Sequence, residues 1–335
     1  MPDKIYSNVE SNEKGSDFSD SSRTSLENDS MSPTAAPLRT LPDGNPVSPA
    51  NGRRKVEHWN RESSSYPPEL LDLAQPPIDL FTLGRASALT KPRVAIVGTR
   101  NSTAYGERVT RTLARALTRA GASIVSGMAR GIDAAAHRTA LECGGNTVAV
   151  LGTGVDVPYP VGHRVLHQTI VDQGLVLSEN PPGAKAYQGA FPRRNRIIAA
   201  LAPVTIVVEA GFRSGALNTA GQALELNRTV AAVPGPIDSD QSRGSNQLLR
   251  DGAILIAAPE DALTLLGLTA PPEPPPPLLP DSEQKIWEAT STSYLSTDAL
   301  PAITGLSMAE CLAAITSLEI LGLVECSLAG DIRRR

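Results

Sequence analysis

The chain has 335 residues, 41% of them hydrophobic and 20% charged, with a formal net charge of −4. That length and apolar content suffice for two domains with real cores, and the acidic balance excludes a global basic field, so any polyanion site must be local. Three cysteines, Cys143, Cys311 and Cys326, stand without CxxC or Cys/His spacing, which argues against a disulfide framework or a structural zinc and points to reduced thiols.

Residues 1–62 are rich in Ser, Asn, Asp, Glu, Pro and Gly with almost no apolar periodicity, and they are expected to be disordered because they cannot bury enough surface to offset ordering entropy. The start lacks a charged region followed by an apolar one, and no stretch approaches the roughly 18 uninterrupted apolar residues of a membrane span. A cytoplasmic protein without a membrane partner is expected. From Tyr66, YPPELLDLAQPPIDLFTLG sets turn-forming prolines around short apolar groups, so residues 63–92 read as a strap packed beside the next domain.

From Arg93 onward, apolar runs of strand length alternate with helical stretches: VAIVG (94–98), SIVSG (123–127), TVAVLG (147–152), LVLSE (175–179), VTIVVEA (204–210), TVAAVPG (229–235) and AILIAA (253–258). Strands that are apolar at every position are buried on both faces, which marks a parallel sheet covered by helices. Residues 93–268 therefore read as a doubly wound α/β domain, whose ligands dock beyond the carboxyl ends of the strands. The Pro-rich segment 269–280 reads as a stiff extended linker. Residues 281–335 outline three short helices and a hairpin, a small winged-helix-like domain.

The first strand ends in GTRNSTAYGERV, which lacks GxGxxG, and no acid closes the second strand; GxxxxGK[ST] is absent as well. Hydride chemistry on a dinucleotide and the usual ATPase chemistry are thereby disfavoured. What remains at the strand ends is a set of small-residue turns, including Thr99, Arg100, Ser102, Gly127, Ser214 and Gly215. Their backbone amides and hydroxyls suit phosphate oxygens, although a glycine after a parallel strand more often serves tight geometry.

AFPRRNRIIAAL (190–201) poses a sharper problem, because Arg193, Arg194 and Arg196 crowd a helix start where the macrodipole opposes each cation by about 0.3–1 kcal/mol. An anionic ligand would relieve this, as would scaffold pairing with Glu179 or Glu209; Arg196, nearest the apolar run, is the best structural candidate. Phe191 and Tyr187 suit base stacking, and Phe191 equally suits a hydrophobic staple. His137 follows Asp133 by four residues on one helix face, yet no third ligand or nucleophile has suitable spacing, so a structural histidine is expected. No metal, cofactor or catalytic residue is expected.

Residues 93–256 resemble the DprA/Smf family of DNA-processing proteins, on the motifs VAIVGTRNSTAYG, IVSGMARGIDAAAH, VAVLGTGVDVPYPVGH, LSENPPGAKAYQGAFPRRNRIIAAL, VVEAGFRSGALNTAGQALE and VPGPIDSDQSRGSNQLLRDGA. The resemblance implies an extended Rossmann-like domain that binds single-stranded DNA without sequence preference. It also implies a homodimer that protects incoming DNA, overcomes single-strand-binding protein and loads the RecA recombinase in natural transformation. By position, Arg100 would contact phosphate, and Phe191, Arg193, Arg194, Asn195 and Arg196 would lie near the same groove; Ser102, Gly127, Tyr187, Ser214 and Gly215 complete the expected DNA-binding set.

Two features qualify that expectation. The candidate recognition helix of the winged domain, SMAECLAAITSLEILG, carries Glu310 and Glu319 and no lysine or arginine, so it suits a protein contact better than a duplex, and only Arg333–Arg335 at the very end are expected to reach nucleic acid. Residues 1–62 do not look like the small helical domain that many family members carry before the Rossmann core. The competing enzyme reading is a nucleotide-processing phosphoribohydrolase on a related fold: VVEAGFRSGALNTA keeps Glu209 and Gly215 but lacks the PGG turn. Dimerisation is expected through an apolar patch around LLRDGAILIAA.

Overall fold

The structure is a computed structural model that describes residues 54–212, 214–270, 278–290, 294–327 and 330–334. The expectation for the first 53 residues and most of that for the Pro-rich linker lie outside the described residues.

Nine strands form one sheet: β1 (Glu57–Asn60), β2 (Asp79–Gly84), β3 (Arg93–Val97), β4 (Ser123–Ser126), β5 (Thr147–Val150), β6 (Leu175–Ser178), β7 (Val204–Val207), β8 (Thr229–Ala232) and β9 (Ile254–Leu255). Their spatial order is β1-β2-β6-β5-β4-β3-β7-β8-β9. Strands β3 to β9 pair in parallel. The interior strands β4, β5, β6 and β7 are buried at every position, as their unbroken apolar runs require.

Helices cover both faces: α1 (Ala104–Arg119), α2 (Ile132–Glu142), α3 (Arg164–Gln173), α4 (Ala190–Leu201), α5 (Gly215–Glu225), α6 (Arg243–Arg250) and α7 (Pro259–Leu265). On one face Leu113 and Leu117 of α1, Ile132 and Ala136 of α2 and Leu263 of α7 pack on Val94, Ile96 and Ile206. On the other, Ile197 and Ile198 of α4 and Ala216 and Ala220 of α5 pack on Ala95, Val97 and Val207. The chain runs outward from β3 through β4, β5 and β6, then returns to lay β7 on the opposite side of β3. Between β3 and β7 the winding direction reverses, and the crevice at their carboxyl ends is where ligands of doubly wound sheets dock.

Two expectations are corrected at the sheet edges. The segment 63–92 is not a strap lying beside the domain: its residues Asp79–Gly84 join the sheet as β2, antiparallel to β6 with Phe81 opposite Ser178. The strand Glu57–Asn60, inside the stretch expected to be disordered, pairs with β2 and buries Trp59. β1 buries a single residue and β2 only Leu80 and Thr82, too little apolar pattern to stand out in a polar, proline-rich stretch. Ion pairs of Arg93 with Glu69 and of Arg228 with Asp72 tie the segment to the parallel strands. At the far edge, AILIAA supplies only the two-residue β9, and Ile254 and Leu255 are exposed.

The C-terminal domain comprises α8 (Asp281–Ala289), β10 (Leu295–Ser296), α9 (Leu300–Thr304), α10 (Met308–Ile320), β11 (Val324–Cys326) and β12 (Asp331–Arg334), with sheet order β10-β12-β11. Ile286, Leu300, Cys311, Leu318, Val324 and Ile332 form its core. A capping box between Ser307 and Glu310 starts α10. This is a winged helix. No single helix among the described residues is long and apolar enough to cross a membrane, and those residues include no His/Cys/Asp/Glu group that would hold a metal ion.

Candidate functional site

The β3–α1 turn is held from below by Glu209, which follows β7. Its carboxylate accepts from the Thr103 amide (3.0 Å) and the Thr103 hydroxyl (2.5 Å), while Thr103 Oγ1 caps α1 by accepting from the Gly106 amide. An acid at a helix N-terminus is favoured by the macrodipole. The approach is so close that a Cβ on Gly106 would stand 2.1 Å from Glu209 Oε2, so a larger residue there would displace the carboxylate that holds the turn. With the turn fixed, Arg100 projects into solvent and its guanidinium lies 5.5 Å from the centre of the Phe191 ring, a cation–π distance. Ser102 is half-buried and donates to Glu107 Oε1 (3.0 Å).

The three arginines of α4 have three different fates. Arg193 is exposed at the rim, with Nη2 3.2 Å from Glu179 Oε2, and Arg196 packs against the same carboxylate at 2.5 Å with little of its side chain in solvent. Arg194 turns inward. Its Nη1 donates to the carbonyl of Gly127 (2.7 Å) and to that of Val150, and its Nε donates to Asn195 Oδ1. The acceptors stand just beyond β4 and at the end of β5, where parallel strands leave carbonyls without ladder partners. Burial holds the Arg194 pKa down to about 10 despite the attraction of Asp133, so it stays charged at neutral pH.

These contacts correct part of the expected DNA-binding set. Arg194 is 5% exposed and its fork is engaged by carbonyls, so it is not free for a phosphate. Arg196 is neutralised by Glu179. Asn195 is buried and donates to the Gly215 carbonyl and to Asn218 Oδ1, joining α4 to α5. Gly127 is buried, and the Arg194 guanidinium fills the space a side chain there would take: a Cβ would meet its Cζ at 2.6 Å. All four act as backing for the rim.

The β4–α2 turn is fixed by Asp133, which is buried and accepts from the amides of Gly127 (3.1 Å) and Ala129 (3.4 Å). Desolvation raises its pKa, with Arg194 and the two amides opposing. His163 Nδ1 lies 3.0 Å from the Met128 carbonyl and donates to it. His137 is structural: Thr147 Oγ1 donates to the Ile124 carbonyl, so His137 Nδ1, at 2.6 Å from that oxygen, is the donor. Burial, reinforced by Arg194 and His163, lowers its pKa to about 3, and the ring is neutral.

Above this platform a cavity of about 520 Å3 opens at the β3/β7 crevice, lined by Thr99, Arg100, Phe191, Arg194, Phe212, Ser214, Gly215 and Asn218 among others. Ser214 caps α5 by accepting from the Ala216 amide, so the start of α5, with its partial positive charge, forms part of the wall. Asp133 is the one carboxylate among the described lining residues. Phe191 leans on Tyr159 with ring centres 4.9 Å apart, and Phe212 is 71% exposed. Tyr187 is exposed in the loop ahead of α4, outside the lining set. Among the described lining residues the wall thus combines the Arg100 guanidinium, a helix start, small polar groups and two aromatic rings, Phe212 exposed and Phe191 half-buried against Arg100 and Tyr159. This combination suits an extended phosphate backbone with unstacked bases.

The family model for DNA recombination-mediator protein A matches residues 57–267. The chain belongs to that family. The model for the DprA winged helix domain matches residues 270–330. The putative DNA processing protein DprA of Mycobacterium tuberculosis is 43% identical over 260 residues, spanning 75% of this chain and 67% of that protein. Among solved structures, DNA processing protein A of Streptococcus pneumoniae superposes with a TM-score of 0.61 at 40% identity, covering 63% of this chain and 75% of that one. DNA processing protein A of Helicobacter pylori, described for its single-stranded DNA binding mode, gives a TM-score of 0.57 at 32% identity over 64% of this chain and 96% of its own.

Among the residues lining this cavity, sequence reading missed Phe212 and Asn218. A large aromatic between Gly211 and Ser214, after a strand already closed by its apolar run, has no core to fill, and that was the available signal. Asn218 stands four residues after Ser214 on α5, one turn below the cap.

Proposed function

We propose that the chain is a cytoplasmic, non-enzymatic protein that binds single-stranded DNA without sequence preference. The strand crosses the rim between Arg100 and Arg193, with bases against Phe191 and Phe212. The observation that carries this reading is the β3/β7 cavity, where an uncompensated Arg100, the start of α5 and accessible aromatic rings converge. On this reading the family role follows: a homodimer, joined through the exposed β9 edge, protects incoming DNA and loads RecA recombinase onto it against single-strand-binding protein during natural transformation and recombination.

The phosphoribohydrolase reading loses its acid. Glu209 is 2% exposed and engaged by Thr103, so it has no free oxygen to offer a ribose.

The test is fluorescence anisotropy with matched single-stranded and double-stranded oligonucleotides across a salt series. The single strand should bind more tightly, with log affinity falling by about 0.7 per log unit of salt for each phosphate neutralised. Absence of binding at low salt, or a preference for duplex, would overturn the proposal.

A further inference from the structure

The helix that begins at the rim carries charge that the site described above does not use. α1 buries Thr110, Leu113, Ala114 and Leu117 and turns Arg108, Arg111 and Arg119 to solvent, with Arg115 half-exposed between them. Their spacing of three, four and four residues puts all of them on one stripe, about 17 Å long at 1.5 Å per residue. Four arginines stand against one acid, Glu107, on a helix of 16 residues, in a chain whose net charge is −4.

This stripe does not stabilise its own helix. Arg111 and Arg115, and Arg115 and Arg119, are like-charge pairs one turn apart, which oppose helix formation. The stripe's one ion pair among the described residues is Arg111 with Glu107, loose at 3.7 Å and exposed on both sides. Nor does the face resemble a protein interface, whose core is apolar: α1 and α2 contribute none of the large exposed hydrophobic residues. Arg138 of α2, the neighbouring helix, is exposed too. A row of solvated guanidinium forks without an apolar centre fits a repeating phosphate backbone.

The row also starts at the sheet edge that carries the cavity. Arg108 lies 5.7 Å from the Tyr105 ring centre, and the Tyr105 hydroxyl donates to the Pro234 carbonyl at 2.8 Å, just past the end of β8. The first arginine is thereby fixed at the carboxyl edge of the sheet, on the helix that follows the Arg100 turn. From there α1 leads down the outer layer.

We infer that the single-stranded DNA held at the β3/β7 cavity continues along the arginine stripe of α1, which forms a second, purely electrostatic part of the binding track. This rests on the DNA-binding reading of the cavity. The test compares oligothymidines of about 5 and about 20 nucleotides, the first filling the cavity alone and the second long enough to reach α1, within the span of ordinary single-strand sites. In an Arg111→Ala, Arg115→Ala, Arg119→Ala variant, affinity for the long strand should fall about tenfold with a shallower salt dependence. The short strand should bind as before, and the corresponding triple lysine variant should keep most long-strand affinity. Alanine preserves helix propensity, and a triple glutamine variant replaces it if melting shows lost fold.

Unchanged long-strand binding in the alanine variant, while Arg100→Ala weakens both lengths, would overturn the inference and leave the cavity reading intact. Equal losses on both lengths, or a loss confined to duplex, would overturn it as well. If Arg100→Ala weakens neither length, the cavity reading itself fails.

Discussion

The carboxyl edge of the nine-stranded sheet and the winged-helix domain each hold arginines, under opposite constraints. At the sheet edge Arg100 stands in solvent over Phe191 and Arg193 is 60% exposed at its side chain. In the winged helix, Arg333 pairs with Glu325 and stacks on Tyr294 at 4.6 Å. Arg334 donates to the Trp287 carbonyl and stacks on its indole at 4.4 Å. Arginines expected to be the winged domain's free cations are thus engaged by its own fold, and Arg335 lies outside the described residues. α10 presents exposed Glu310 and Glu319 and no basic residue, so a shape associated with duplex reading lacks the charge for it, while the sheet edge keeps Arg100 free of any carboxylate among the described residues.

Breaking the scaffold side of this contrast should cost most. Arg194→Ala leaves the carbonyls of Gly127 and Val150 and the buried Asp133 without their cation, and should lower unfolding free energy by about 3–5 kcal/mol, read by denaturant titration. Removing the rim cations, free Arg100 and the exposed Arg193 that shares Glu179 with Arg196, should act mainly on binding: Arg100→Ala combined with Arg193→Ala should weaken oligothymidine binding at least tenfold, about 1.4 kcal/mol, with little change in the denaturation midpoint. Phe212→Ala should lose about 1 kcal/mol of binding if its ring stacks a base, again without a stability change.

A smaller effect is expected in pH dependence. The folded chain refuses a proton at His137 until about pH 3, whereas the unfolded chain accepts one near 6.5. Stability from this residue is therefore complete above 6.5 and is lost as pH falls. His137→Asn should show a shallower fall in melting temperature between about pH 6.5 and 5. The smallest effect belongs to the winged helix, where Arg333→Ala with Arg334→Ala should leave oligothymidine affinity unchanged while the domain loses about 0.5–1 kcal/mol for each cation–π contact.

The parallel sheet was legible because strands buried on both faces have no polar alternation, and the winged helix because three short helical segments and a hairpin follow a Pro-rich linker. The edge strands β1 and β2 were not legible, since Trp59 is a lone large apolar residue in a polar run whose strand exists only by pairing. At the site, type and neighbourhood were readable but direction was not. Arg193 and Arg196 are three apart and meet the same Glu179, as helix spacing allows. Arg194 lies between them in sequence but about 100° away around the helix, and only the carbonyls of Gly127 and Val150 decide that it points inward. Glu209 looked like a partner for these arginines and instead holds the start of α1.

The account's central claim is that the strand lies on the sheet edge, and photo-crosslinking of the unaltered chain to a bromodeoxyuridine-substituted single strand tests it most directly. Crosslinked peptides should map to residues 187–193 and to Phe212, the accessible rings around the cavity. Crosslinks confined to residues 281–334 would contradict it and assign the nucleic acid to the winged helix.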